Sequence, residues 1–219
     1  MMKKMVMKKK LVNVENRENG VPGFYASHEG EAIELIPSGK IVMAVPRNEQ
    51  DHKIYKLLAS YCDLYFFMTD QLENFHYYPV PMMALFAVDS AGNHYGTIGG
   101  MGDIIDDQYP VGYISKDGQC VKIAESFKAF LELAVYYPDW RENLDVVNKQ
   151  KVYAVESLIS MQLNQTKEQI EIQDEIANTL NLTKRPKLIE ALFENIKSAP
   201  MVVTYLSKED AEKENVFIE

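Results

Sequence analysis

Cysteine and long apolar runs are both scarce in this chain of 219 residues. Its two cysteines, Cys62 and Cys120, form no Cys-x-x-Cys pair, which excludes a scaffold built from disulfides. No apolar run reaches the roughly 18 residues that a transmembrane helix needs. The basic residues 1–12 are not followed by the apolar core of a signal peptide. We therefore expect a cytoplasmic protein with reduced, buried thiols, and an exported protein that has lost its leader is the alternative.

Positive charge is missing from the middle of the chain. Residues 57–115 contain no Lys or Arg but seven acidic residues. The whole chain carries a net charge of −9, whereas residues 1–20 carry +4, which leaves −13 for the rest. Such a field repels nucleic acid phosphates and attracts a basic partner. A buried central sheet, where lysine is rare, is one interpretation of the stretch. An acidic surface that faces a partner is the other.

The motifs of catalytic and metal sites are missing as well. The four histidines lie far apart and form no HxH, HExxH or Cys/His group, so we expect no zinc chemistry. The segment GTIGGMGD at residues 96–103 fits neither a Walker A loop nor a GxGxxG helix start, and a loop is expected there. Asp103, Asp106 and Asp107 offer oxygens for Ca²⁺ or Mg²⁺, but their spacing is not that of an EF-hand. We prefer a solvated acidic loop, and we expect no catalytic residue, metal or cofactor.

Clear secondary-structure patterning is present instead, above all in YPVGYISKDGQCVKIAESFKAFLELAV at residues 109–135. Asp117 and Gly118 predict a tight hairpin because both tolerate positive φ. Ser126 is predicted to cap a helix rather than to act as a nucleophile, since no GxSxG motif surrounds it. Pro138 ends that helix. Its predicted buried face consists of Phe127, Phe130, Leu131, Ala134 and Val135.

Other elements are predicted before this stretch. Short apolar pieces at residues 32–36 and 41–45 indicate strands or a hairpin. The spacing of apolar residues over 50–68 predicts a helix, whose stripe comprises Ile54, Leu57, Leu58, Tyr61, Cys62 and Tyr65. The continuous apolar run at 82–88 predicts a strand buried on both faces. A turn at residues 89–93 and a second strand at 94–98 follow it.

Aromatic residues are concentrated in one band, with seven of them in 18 residues. They are Tyr61, Tyr65, Phe66, Phe67, Phe75, Tyr77 and Tyr78. Core packing is the first interpretation of this band. A tyrosine that lies exposed beside acidic residues would instead be a good interface anchor. The lack of Lys and Arg in the band disfavours base stacking on a nucleic acid.

Helix formers predominate after Trp140. We predict a helix at residues 144–163, a second helix after a capping box at 166–169, and a third helix with Pro186 at its start. A last short strand is predicted within 201–206. The order of elements predicts an α+β fold, with a mostly antiparallel sheet of hairpins, a packed amphipathic helix and a helical C-terminal extension.

We divide the chain into three parts on the basis of these patterns. Residues 1–20 form a basic N-terminal arm, and residues 21–140 form an α+β domain. Residues 141–219 form a mainly helical region that we expect to pack on the same domain.

Two segments, FHYYPVPMMALFAVDSAGNHYG and the 27-residue stretch quoted above, resemble the SUKH superfamily. That group contains fungal cell-wall-synthesis regulators and many bacterial toxin-immunity proteins. The similarity covers residues 75–137. It consists of an apolar strand, a D-x-x-G-N turn, a short strand, a strand–turn–strand pair and an A-x-S-F-x-x-F-L helix start that packs beside the sheet. The resemblance implies a SUKH-like fold.

The resemblance also implies a function. It suggests an immunity protein, not an enzyme, that neutralises a bacterial polymorphic toxin, such as a nuclease, by stoichiometric blocking. The expected partner is a basic cognate toxin, with no nucleic acid and no membrane, and a homodimer is also considered. We predict that Asp103, Asp106, Asp107 and Tyr109 contribute to the partner face. The alternatives are a regulatory scaffold that docks through residues 143–197 and an enzyme or small-ligand protein built around residues 96–103.

Overall fold

The structure is a computed structural model that describes residues 10–13, 41–68, 75–99, 109–143, 165–198 and 202–215. Its strands are β1 (Lys10–Asn13), β2 (Ile41–Ala44), β3 (Tyr65–Phe66), β4 (Tyr78–Val80), β5 (Met83–Val88), β6 (His94–Ile98), β7 (Val111–Ile114), β8 (Cys120–Ala124) and β9 (Val203–Tyr205). Its α-helices are α1 (Lys53–Cys62), α2 (Phe127–Tyr136), α3 (Lys167–Leu180), α4 (Leu188–Lys197) and α5 (Lys208–Asn215). Short 3₁₀ helices occupy Arg47–Glu49 and Pro138–Asn143.

The strands form a main sheet of seven strands and a small sheet of two. The main sheet has the order β1-β2-β5-β6-β7-β8, and β3 pairs with β5. Strands β2 and β5 run parallel, whereas the other named pairs are antiparallel. The small sheet joins β4 to β9. This mixture of helices with a mostly antiparallel sheet confirms the predicted α+β fold.

Strand β5 lies inside the main sheet, as its apolar sequence predicts. Its residues from Met83 to Ala87 are buried, and it pairs with β2, β3 and β6. The turn at residues 89–93 and strand β6 follow at the predicted positions. Strands β3 to β7 all come from the stretch without Lys or Arg, which is the arrangement that the buried-sheet interpretation requires.

Helices cover one face of the main sheet. Helix α2 packs through Phe127 and Phe130 against Phe86, whose ring centroid lies 5.0 and 5.6 Å from theirs. All five residues of its predicted apolar face are buried, and Glu132 and Leu133, which lie outside that face, are buried as well. Helix α2 also contacts α1, α3 and α4, and α4 packs on strand β8.

The opposite face carries a second apolar cluster. Residues from the main sheet and from segments beside it contribute: Val42, Ala44, Phe67, Phe75, Met83, Leu85, Ile98, Ile114 and Val202. The small sheet lies next to the β7–β8 hairpin, since Tyr77 OH donates to Lys116 O over 2.9 Å and Thr204 Oγ1 donates to Gly118 O over 2.5 Å. Helix α5 packs on β4 and β9.

Helix α1 is shorter than the apolar stripe predicts. It ends at Cys62 because Asp63 adopts a left-handed conformation with φ of 52°, and Leu64 N donates to Leu58 O over 3.2 Å. Tyr65 therefore lies in strand β3 and is 47% exposed, although it was predicted within the helix. The spacing of apolar residues does not reveal where the helix ends. The usual signal is a glycine in the left-handed position, and an aspartate takes that position here.

Two further predictions need correction, one of a turn and one of a helix start. In the β7–β8 hairpin, Gly118 has φ of +81° but Asp117 is not among the residues with positive φ. Ser115 N donates to Gln119 O and Gly118 N to Ser115 O, so the loop has three residues and needs positive φ at one position only. Pro186 does not start helix α4, which begins two residues later, after a left-handed Lys187.

Two other predictions are confirmed, and several lie partly or wholly outside the described residues. The capping box of helix α3 is present, and β9 lies within the predicted residues 201–206. In the glycine-rich segment, residues 96–98 complete β6 and Gly99 turns with φ of +86°. The rest of that segment, the strand predicted at 32–36 and the helix predicted at 144–163 lie outside the described residues.

Candidate interaction surface

Tyr109 is the one predicted partner residue within the described chain, whereas Asp103, Asp106 and Asp107 lie outside it. Tyr109 is half-buried, and its ring lies next to Gly99, where an added Cβ would be 3.8 Å from Cδ1 of the ring. Ile98 N donates to Pro110 O over 2.8 Å. The two ends of the β6–β7 connection are therefore adjacent at one end of the sheet.

A polar network lies at the opposite end of the sheet, around the turn between β5 and β6. Asp89 is 5% exposed, and its carboxylate accepts hydrogen bonds from Ala91 N, Asn93 N and Asn93 Nδ2 at 2.9 to 3.1 Å. Tyr95 OH donates to the same carboxylate over 2.7 Å. Burial raises the pKa of Tyr95 well above its ordinary value, so its hydroxyl stays a neutral donor. Asp89 thus fixes the shape of the turn.

Arg141 joins this turn to the end of helix α1. Its Nη2 donates to Cys62 O over 2.7 Å and lies 3.7 Å from Asp63 Oδ2. Its Nε lies 4.0 Å from Asp89 Oδ2. Its guanidinium also sits 5.8 Å from the centre of the Trp140 ring. Two carboxylates therefore share one guanidinium, and these three groups sum to a single negative charge.

Asp63 connects the network to the surface. Its Oδ1 accepts from Ser90 N over 3.2 Å, and its Oδ2 accepts from Ser90 Oγ over 2.9 Å. The Asp63 side chain is nevertheless 36% exposed. Because a carboxylate can accept about four hydrogen bonds, this group retains capacity for a further donor.

An open groove of about 470 Å³, which we name the Tyr65 groove, lies beside this network. Its described lining combines strand β3 and the residues after it with the end of β5 and the turn. The lining residues are Tyr65, Phe66, Phe67, Met68, Val88, Asp89, Ser90 and Gly92. All of them belong to the stretch without Lys or Arg. A largely apolar groove that adjoins the Asp63 carboxylate through Ser90 suits a partner that carries both apolar and positively charged groups.

The sequence indicates only part of this surface. The D-x-x-G-N pattern predicts the turn, and the aromatic band includes Tyr65, so both carry a signal. Arg141 follows Asp89 by 52 positions, and no local pattern connects the two residues. The network as a whole therefore has no signature in the sequence.

Burial makes the thiols of both cysteines unreactive at neutral pH. Burial raises the pKa of both the Cys62 and the Cys120 thiol to about 12, so both are protonated at neutral pH. Cys62 is buried and Cys120 is half-buried. In the part of the chain that the structure describes, no group of three or more His, Cys, Asp or Glu residues is placed to hold a metal ion.

The helices of the described ranges include none with the length and apolar character that crossing a membrane requires. Comparisons with protein family models, with curated proteins and with solved structures found no match for this chain.

Proposed function

We propose that this chain is a SUKH-like immunity protein, acting in the cytoplasm, that binds a bacterial polymorphic toxin and neutralises it by stoichiometric blocking. One observation carries the proposal. Strand β5, a turn, strand β6, the β7–β8 hairpin and the capped helix α2 follow one another in the order that the resemblance implies. This likeness is one of architecture, and the negative charge of the chain supports the proposal independently.

The charge supports a basic partner. The chain carries −9 overall, and the stretch without Lys or Arg supplies the strands in the middle of the sheet and the Tyr65 groove. A nuclease toxin needs positive charge to hold phosphates, so its active face would be attracted to such a protein. Charge complementarity speeds the encounter and orients the two surfaces. A bound immunity protein then blocks the toxin by occupying that face, and the chain needs no catalytic group of its own.

Co-expression with the toxin encoded by the neighbouring reading frame tests this proposal. We expect cells that carry both proteins to grow and cells that carry the toxin alone to die. A pull-down of the two purified proteins should recover a complex. If the chain neither rescues growth nor binds the toxin, the proposal is wrong.

A regulatory scaffold is the second candidate, and one observation favours it. Ile170 on helix α3 is 43% exposed although it is a large apolar residue, and it lies within the residues 143–197 that would form a docking or dimer surface. Sedimentation over a range of concentrations distinguishes the candidates. A stable dimer that the change Ile170→Glu dissociates would favour the scaffold, and a monomer would favour the immunity protein.

A further inference from the structure

We propose that the Tyr65 groove binds an extended, basic segment of the protein partner, with an arginine side chain laid over the Tyr65 ring. This inference rests on the proposed function, because it takes the partner to be a basic protein. It adds where the contact is made and which chemistry is recognised. The groove lies at the opposite end of the sheet from Tyr109, so it offers the same partner a second contact besides the predicted partner face.

The groove has the size and the lining of a site that takes side chains. Its volume of about 470 Å³ lies within the range of about 300 to 1,000 Å³ that is usual for binding pockets. Phe67, Met68 and Val88 give it apolar walls. Tyr65 is one of few large apolar side chains in the described ranges that lie exposed. Tyrosine in such a position is a frequent anchor of protein interfaces.

The charge of the groove selects the sign of the occupant. None of the described lining residues is Lys or Arg. Asp63 at the rim is 36% exposed, and its Oδ1 accepts one hydrogen bond within the described chain, from Ser90 N. A guanidinium in the groove would find an aromatic face at Tyr65, which arginine prefers, and an acceptor on Asp63 at the Ser90 side of the groove. An acidic segment would be repelled by the net negative charge that Asp63, Asp89 and Arg141 carry together.

The molecule already holds one arginine in this manner. Arg141 lies over the Trp140 ring and contacts Asp63 and Asp89. It does so from the inner side, with only 16% of its side chain exposed. On the solvent side, Tyr65 offers an exposed ring in the groove lining. Asp63, which accepts hydrogen bonds from the lining residue Ser90, offers a partly exposed carboxylate. The geometry therefore suits one further arginine, approaching from solvent.

Peptide binding tests the inference on the full chain. The probe is a fluorescent, blocked hexapeptide that alternates arginine and phenylalanine, and its control replaces arginine with glutamate. We expect the arginine peptide to bind and the glutamate peptide to bind at least about tenfold more weakly. In ¹H–¹⁵N spectra, the amide shifts caused by the arginine peptide should concentrate at residues 65–68 and 88–92. Shifts located elsewhere, or equal binding of the two peptides, would overturn the inference.

Two variants and a matched control locate the contact. Tyr65→Ala removes the exposed ring, and Ala91→Arg places a cation on the exposed turn at the rim. Each should weaken binding of the arginine peptide by about tenfold or more. Asn178→Arg makes the same change of charge on an exposed position of α3 and should alter binding by less than about twofold. Wild-type affinity in both groove variants would overturn the inference. If those variants also still neutralise the toxin, the proposed function stands without the groove.

Discussion

At the scale of single residues, Ser126 connects the sequence to the fold most directly. It precedes helix α2 in an extended conformation, and its Oγ accepts a hydrogen bond from Ala129 N over 3.1 Å. A helix leaves its first amides without backbone partners, and a cap residue satisfies one of them. Ser126 therefore starts the helix that carries the rings of Phe127 and Phe130 onto the sheet.

The change Ser126→Ala tests this role. It should lower the free energy of unfolding by about 1 kcal/mol, because one amide of α2 loses its acceptor. Ser60→Ala is the matched control. Ser60 lies exposed inside α1 and donates to Leu57 O over 3.3 Å, so its replacement by the stronger helix former alanine should cost little. Urea unfolding measures both variants. Equal losses in the two variants would refute the role of Ser126 as a cap.

Arg141 is an example of a residue whose contacts cannot be predicted from local sequence patterns. The turn that follows β5 can be recognised in the sequence, because Asp, Gly and Asn favour turns for local reasons. The partners of Arg141 come from α1, from the turn and from β6, and these elements are brought together only by the folded sheet. A single arginine after a tryptophan carries no such information.

At the scale of elements, two glycines allow β5, β6 and β7 to pack side chains on the second face of the sheet. Gly96 and Gly112 are paired across β6 and β7. The side chain of Leu85 occupies the space above Gly96, and that of Met83 occupies the space above Gly112. The absence of a Cβ at these positions makes room for the second apolar cluster.

We predict that Gly96→Ala destabilises the protein more than Gly112→Ala does. A Cβ at Gly96 would lie 2.8 Å from Leu85 Cδ2 and 2.9 Å from the carbonyl oxygen of Ala84, and that backbone is fixed inside the sheet. A Cβ at Gly112 would meet Met83 Cε at 2.6 Å, but this end of a flexible side chain can move.

Overpacking should cost about 2 kcal/mol or more in Gly96→Ala and about 1 kcal/mol less in Gly112→Ala. The general effect of replacing glycine on the unfolded chain is common to both variants and cancels in the comparison. Denaturant unfolding provides the measurement. A larger loss in Gly112→Ala would show that Met83, rather than the backbone of Ala84, is the rigid neighbour.

The elements that the sequence predicts well are those whose signals are local. The apolar run of β5, the turn after it, β6 and helix α2 each carry their own pattern, and the structure places them as expected. Strand β3 carries no such pattern because it has only two residues and the first of them, Tyr65, continues the apolar stripe of α1 across the left-handed Asp63. Strand β4 was missed for another reason, since its partner β9 lies more than 120 positions away.

At the scale of the whole molecule, the distribution of charge is the main link between sequence and proposed function. Composition reveals the sign and the size of the charge, and the structure adds that the stretch without Lys or Arg lines the Tyr65 groove. Whether acidic side chains lie at a partner's surface depends on how the elements assemble, which no local pattern determines. The partner face therefore stays a proposal that charge reversal can test.

Reversing Asp103, Asp106 and Asp107 to lysine changes the net charge from −9 to −3. We predict that association with the toxin slows by about tenfold or more at low salt, because steering depends on charge near the contact. The melting temperature should hardly change. The control reverses three exposed acids of α3, Glu168, Glu171 and Asp174, and should slow association much less. Stopped-flow kinetics decide the matter, and equal slowing in both variants would assign the effect to net charge alone.

A stoichiometric titration of the toxin tests the central claim, that this protein acts by occupying another molecule's surface. Increasing amounts of the chain are added to a fixed amount of the purified toxin domain, and the remaining toxin activity is measured. Tight blocking predicts a straight decline that reaches zero at one molar equivalent for a one-to-one complex. Loss of all activity at a small fraction of an equivalent would indicate turnover and contradict the account, as would full activity in the presence of excess protein.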